Sequence, residues 1–136
     1  MTSPEKASVT MADREARGLE MIKALNRGAS QPTLENLRQE FPFLADVVAG
    51  FALGEVWAES KLDHRTRQIA TVSAFAALGL SKFMKIHAGY ALNIGVTEDE
   101  LKEVIYLTTV HAGMPRAIEA AQTLSELFAE RRAEAK

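Results

Sequence analysis

The run Gln68-Ile69-Ala70-Thr71-Val72-Ser73-Ala74-Phe75-Ala76-Ala77-Leu78 decides the fold class. The nearest charges, Arg65 and Arg67, stand in what would be the first turn after a capping Asp63, and Gly79 closes the run. Beyond Gln68 every side of the helical wheel is apolar or small, and a helix without a wet face is surrounded by protein. A chain of 136 residues has little room for such a helix. The run is therefore expected to lie centrally, or to border a subunit interface in a chain that forms homo-oligomers.

The flanking sequence extends the helical pattern. Downstream, Ser81 is expected to cap a helix ending at Gly95, and Thr97-Glu98-Asp99-Glu100 reads as a capping box for the next, ending at Gly113. Pro115 suits the first position of a last helix that frays into Arg131–Lys136. Upstream, Thr10 and Asp13 resemble a capping box for a first helix carrying Leu19, Ile22 and Leu25 and stopping at Gly28. Thr33 is expected to cap a short second helix through Leu37 and Gln39. Phe41-Pro42-Phe43 breaks it, and a third helix follows from about Leu44 to Trp57. No segment alternates with period two. The expectation is an all-α protein, an antiparallel bundle of about six or seven helices in one domain.

Composition removes several function classes. No cysteine occurs, which excludes disulfides, thiolate nucleophiles and Cys-ligated zinc. A net charge of −2, with no basic stripe, argues against nucleic-acid binding. The start, Met1-Thr2-Ser3-Pro4-Glu5-Lys6, lacks the apolar core of a secretory signal. The longest uncharged run, Ile69 to Ser81, is too short to span a bilayer, so a cytoplasmic protein without membrane contact is expected. There is no phosphate loop, dinucleotide fingerprint, nucleophile elbow or paired-histidine metal spacing, and neither cofactor nor metal is expected.

Chemistry then falls to a few side chains. His87 has Phe83, Tyr90, Ala91 and Ile94 as helical neighbours, an apolar face that desolvates the imidazole and lowers its pKa. It reads either as a core histidine bonded to a main-chain carbonyl or as an acid–base group. His111 follows Val104, Leu107 and Thr108 and is expected on the inner side of its helix, in a last turn where the dipole favours its charged form. His64 falls in a charged first turn and is expected to be solvated. Glu55 interrupts an apolar run beside Trp57, as a paired structural charge or an acid, with Arg67 its expected partner. Arg65, Arg67 and Arg116 offer forks for a substrate carboxylate.

Gly54-Glu55-Val56-Trp57, Leu62-Asp63-His64-Arg65-Thr66-Arg67, Ala77-Leu78-Gly79, Lys85-Ile86-His87, Ala91-Leu92-Asn93-Ile94-Gly95-Val96-Thr97 and Ala112-Gly113-Met114-Pro115 resemble, in order and spacing, the carboxymuconolactone decarboxylase family of the alkylhydroperoxidase D-like superfamily. The resemblance runs from about Phe41 to Ala121. It implies an all-helical antiparallel fold that assembles as trimers or hexamers. The superfamily's peroxidase branch uses a Cys-x-x-Cys pair, a glutamate upstream and a histidine downstream. Those positions hold Leu80, Phe83, Gln68 and His87 here, so thiol peroxidase chemistry is excluded.

What the resemblance implies is the cysteine-free branch, in which a small carboxylated lactone of aromatic-compound degradation loses CO2 without a cofactor. On this reading His87 is the enolate donor or general acid, and Glu55 orients it or is an alternative acid. Arg67 or Arg116 holds a second carboxylate, and Phe51, Trp57, Phe83, Tyr90 and His111 wall the pocket. His111 departs from the family's more usual tyrosine before Ala112-Gly113-Met114-Pro115, which alters a pocket wall. Two other readings stay open. One is a lactone hydrolase or isomerase on the same scaffold, with His87 activating water. The other is a non-catalytic oligomeric binding protein with structural histidines.

Overall fold

Six of the seven described α-helices start where a side chain or a proline settles the first, unpaired N–H groups. In the computed structural model, which describes residues 9–59 and 61–136, seven α-helices and one π-helical segment account for all the regular structure among those residues. They divide into two compact units, Met1–Lys61 and Leu62–Lys136, each described here by itself.

In the first unit, α1 (Met11–Leu25) is capped by Thr10 as expected. Its hydroxyl accepts from the Asp13 N–H at 3.1 Å while the Asp13 carboxylate accepts from the Thr10 N–H at 2.9 Å. The helix ends at Leu25, ahead of Gly28, and Arg27 and Gly28 take the left-handed turn with φ of 54° and 83°. The second helix, α2 (Pro32–Glu40), is capped by Gln31 rather than Thr33. Pro32 has no N–H to satisfy and a preset φ, so it draws the start upstream, and the Gln31 side chain accepts from Thr33 N–H at 3.0 Å. Pro42 acts in the same way: α2 breaks at Phe41, as expected, and Pro42 opens α3 (Pro42–Val47) two residues ahead of the expected start at Leu44.

From Val48 to Trp57 the coil widens into a π-helix, an arrangement the sequence did not announce. Its backbone lies directly against α1. A Cβ on Gly18 would overlap the Ala49 carbonyl oxygen, and one on Gly54 would overlap that of Arg14. Ile22, Leu34 and Ala45 form this unit's core, and Arg38 links its helices by binding Asp46 at 2.7 Å and Glu15 at 3.1 Å.

In the second unit α4 (His64–Leu78) is capped by Asp63, which accepts from Thr66 N–H at 2.7 Å. It closes at Gly79, whose φ of 71° favours glycine and whose missing side chain leaves room for the Arg116 guanidinium. Leu80, not Ser81, caps α5 (Ser81–Asn93). The reason is the tight closure of α4: the Leu80 N–H bonds back to the Phe75 carbonyl at 3.0 Å, so Leu80 ends one helix and opens the next. The capping box of Thr97 and Glu100 opens α6 (Glu98–His111). Replacing Thr97 by alanine is expected to cost about 1 kcal/mol, read as a lower urea midpoint at unchanged slope.

The last helix, α7 (Met114–Glu134), has Pro115 at its second position and does not fray at Arg131. Arg131 donates to Asn93 Oδ1 at 2.8 Å and to the Gly89 carbonyl at 2.9 Å, and Arg132 pairs with Glu98 at 2.6 Å, which ties down the last turns. The core joins Val72 and Ala76 of α4, Met84 and Ala88 of α5, Leu101 and Ile105 of α6, and Leu124 and Phe128 of α7. Within this unit the dry run packs against α5, α6 and α7. It buries Gln68, Val72 and Ala76 and exposes Ala70, Ala74 and Leu78, a face made mostly of methyl groups whose exposure costs little. Among the described residues no helix is long and apolar enough to cross a membrane.

Candidate functional site

His87 occupies the centre of α5, where Ala88 beside it is buried in the core, so the helix cannot rotate to move the imidazole. Its Nδ1 lies 2.9 Å from Oε1 of Gln68, one of two buried polar or charged residues in the described chain and itself fully buried. With Oε1 turned toward it, Nδ1 is assigned as the protonated, donating nitrogen. The partner is a side-chain amide, not the main-chain carbonyl of an ordinary core histidine. The Phe75 ring packs 5.5 Å from the imidazole at 40°, and Tyr90 meets it edge-on at 5.5 Å. Phe83 extends the cluster through Phe75, at 5.8 Å.

The imidazole's electrostatics follow from this setting. Burial disfavours the charged ring and lowers the His87 pKa from 6.5 to about 4. The ring is therefore neutral at pH 7. The other end of the Gln68 amide, Nε2, is buried without an acceptor among the described residues.

The other residues expected at the site each have a local setting of their own. Arg67 is half-buried on the first turn of α4, its Nε donating to the Leu62 carbonyl at 3.1 Å, and burial lowers its pKa. Glu55 pairs with Arg14 of α1 at 2.7 Å. The two share a cleft of about 430 Å³ in the first unit with Arg17 and Glu59. Glu55 is therefore a paired charge whose partner is Arg14. Phe51 is exposed and Trp57 half-buried, both on the π segment. Arg116 is exposed, its guanidinium lying over Gly79.

His111 is exposed, contrary to expectation. The buried stripe of α6 runs through Leu101, Val104, Ile105 and Thr108 and ends there, so a last-turn residue falls beyond the core. His64 is exposed, as expected. Among the described residues no three His, Cys, Asp or Glu side chains converge as a metal-ligand set.

Two members of the His87 cluster, Gln68 and Phe75, were not named as site residues from the sequence. Gln68 had a signal: it is the last hydrogen-bonding amide before a run with no charge. Phe75 had none, since its place beside His87 depends on how α4 crosses α5.

Residues 42–126 match the Carboxymuconolactone decarboxylase family, a span that contains every side chain of this cluster. The chain belongs to that family. Among its relatives, 4-carboxymuconolactone decarboxylase of Acinetobacter baylyi is 34% identical over 116 residues, which cover 85% of this chain and 87% of the relative. Nitrosuccinic acid decarboxylase of Metarhizium robertsii is 31% identical over 87 residues, 62% of this chain and 61% of the relative. An uncharacterised protein of Methanocaldococcus jannaschii is 28% identical over 95 residues, 70% and 88% respectively. Two of these three relatives are named as decarboxylases, which supports an enzyme with decarboxylase-like chemistry.

Proposed function

We propose that this chain is a carbon–carbon lyase that releases CO2 from a small carboxylated lactone of the 4-carboxymuconolactone type, with no cofactor. The observation that carries the proposal is the neutral, desolvated imidazole of His87, gripped at Nδ1 by an uncharged amide and flanked by aromatic rings.

When the carboxylate departs as CO2, its bonding pair stays on carbon and delocalises onto the lactone carbonyl as an enolate. A dry setting favours this step, because it withholds the water that stabilises the starting carboxylate. The enolate oxygen then needs a hydrogen-bond donor and the carbanion needs a proton. A carboxylate arriving beside His87 favours the charged ring and raises its pKa above the unliganded value. A solvent proton enters at Nε2 while Nδ1–H stays on Gln68. The imidazolium donates Nε2–H to the enolate oxygen as CO2 leaves, delivers that proton to carbon, and returns to its neutral form. One carboxylate is lost, one proton is consumed, and no electrons are exchanged with a second reagent.

Arg67 is the proposed clamp for a second carboxylate, with Arg116 the alternative, because a guanidinium fork matches a carboxylate. Tyr90 and Phe83 are proposed as walls. The name of the Metarhizium relative supports the substrate class, since nitrosuccinic acid also has two carboxylates and an oxygen-bearing electron sink beside the one lost. Self-association through the exposed Ala70, Ala74 and Leu78 face of α4 belongs to the same proposal.

The purified chain, offered 4-carboxymuconolactone and nitrosuccinate in turn, is expected to release CO2 in step with loss of at least one of them. A ring-opened product that keeps every carboxylate would identify a hydrolase instead.

A further inference from the structure

We infer that Gln68 is a positioning residue for this reaction: its side-chain oxygen pins the Nδ1 proton of His87, so that Nε2 is the nitrogen that exchanges a proton with substrate. The inference rests on the lyase reading for what Nε2 does, but its structural half stands on the geometry alone.

Gln68 is held rigidly. It lies on the same face of α4 as Val72 and Ala76, one and two turns further on, and all three are buried. His87 is held by the neighbouring buried Ala88 and by the Phe75 and Tyr90 rings. The 2.9 Å contact thus joins two side chains whose backbones are fixed by the same core.

Gln68 is a poor core filler. Its Nε2 is buried with no acceptor among the described residues, and an unsatisfied buried donor destabilises a fold. A methionine of similar shape would fill the space without that penalty. What the amide supplies and a methionine does not is a strong acceptor for Nδ1–H.

The choice of amide over carboxylate also has a consequence. An amide oxygen accepts a hydrogen bond but does not take up a proton near neutral pH. The imidazole therefore exchanges protons on one side only, and the proton it gains at Nε2 cannot leak onward through Nδ1. A carboxylate in the same place would pair with the charged ring and hold it protonated.

The test is nitrogen-15 NMR of the His87 ring in the full chain without substrate, with kcat and KM measured alongside. The wild-type ring is expected to be protonated at Nδ1 at neutral pH. In Gln68→Met the tautomers are expected to mix toward the Nε2–H form that a free histidine side chain prefers. Its kcat is expected to fall about tenfold or more, because a small misplacement of a reacting group can cost on the order of a hundredfold, with little change in KM. In Gln68→Glu the His87 pKa is expected to rise by at least about one pH unit.

A wild-type ring protonated at Nε2, or a Gln68→Met ring that keeps the wild-type tautomer, overturns the inference. If Gln68→Met does not fold, an unchanged pKa in Gln68→Glu overturns it instead. Because the ring signals are read without substrate, a chain inactive toward every lactone would refute the lyase reading while leaving the Gln68 assignment standing.

Discussion

Replacing His87 by alanine is expected to lower the rate of CO2 release by at least about a hundredfold, the smaller end of what a positioned acid–base group contributes. The loss combines two effects. The enolate oxygen forfeits its donor, and the carbanion forfeits the group that carries its proton. His87→Asn separates these from a packing defect, because an amide can still donate a hydrogen bond and partly fill the space but cannot relay a proton. Both variants are expected to fold, with α5 secured by Met84, Ala88 and Ala91 in the core. Adding free imidazole to His87→Ala is expected to restore part of the rate. Wild-type turnover in His87→Ala would remove the imidazole from the mechanism.

Acid is expected to weaken the fold through the same side chain. The folded His87 has its pKa lowered to about 4, against 6.5 for an unperturbed imidazole. Between those values the unfolded chain holds a proton on this ring that the folded chain does not, so stability rises with pH across the interval. The contribution is fully present above pH 6.5 and is lost as the pH falls toward 4, a change of roughly 3 kcal/mol. Urea midpoints at pH 7 and pH 4.5 check this. The wild type is expected to lose more stability than His87→Asn over that range, and equal losses would show that burial does not hold the ring neutral. Taking the difference between the two proteins removes the carboxylates that titrate nearby, such as Asp63 and Glu100, whose pKa values are lowered by their capping bonds to Thr66 and Thr97.

Much of the helical layout was legible because its signals are local. Thr10 with Asp13, Asp63, and Thr97 with Glu100 each mark a helix start within four residues of sequence, and all three cap as read. The starts that moved, to Gln31 and Leu80, depend on a proline's missing N–H and on the closure of the previous helix. The π segment was not legible because it depends on α1: Gly18 and Gly54 let two backbones touch, and no periodicity within Val48–Trp57 encodes that.

The site divides along the same line. The apolar face of His87 could be read from the residues three and four positions away. Its partner could not, because Gln68 lies on another helix. The exposure of His111 was missed for a related reason. The wheel placed it beside Val104 and Thr108, which are buried, but also beside Leu107, which is 55% exposed, and the core ends between them. Arg67 was the expected partner of Glu55, yet Arg14, much further away in sequence, fills that place.

The decisive measurement uses 4-carboxymuconolactone carrying carbon-13 in the carboxylate that departs, incubated with the chelator-treated chain and followed by NMR. The expected result is label appearing as dissolved CO2 and bicarbonate as fast as substrate disappears, with both processes slowed at least about a hundredfold in His87→Ala. Label that remains in an organic acid while substrate is consumed, or release that does not depend on His87, would contradict a histidine-dependent decarboxylase.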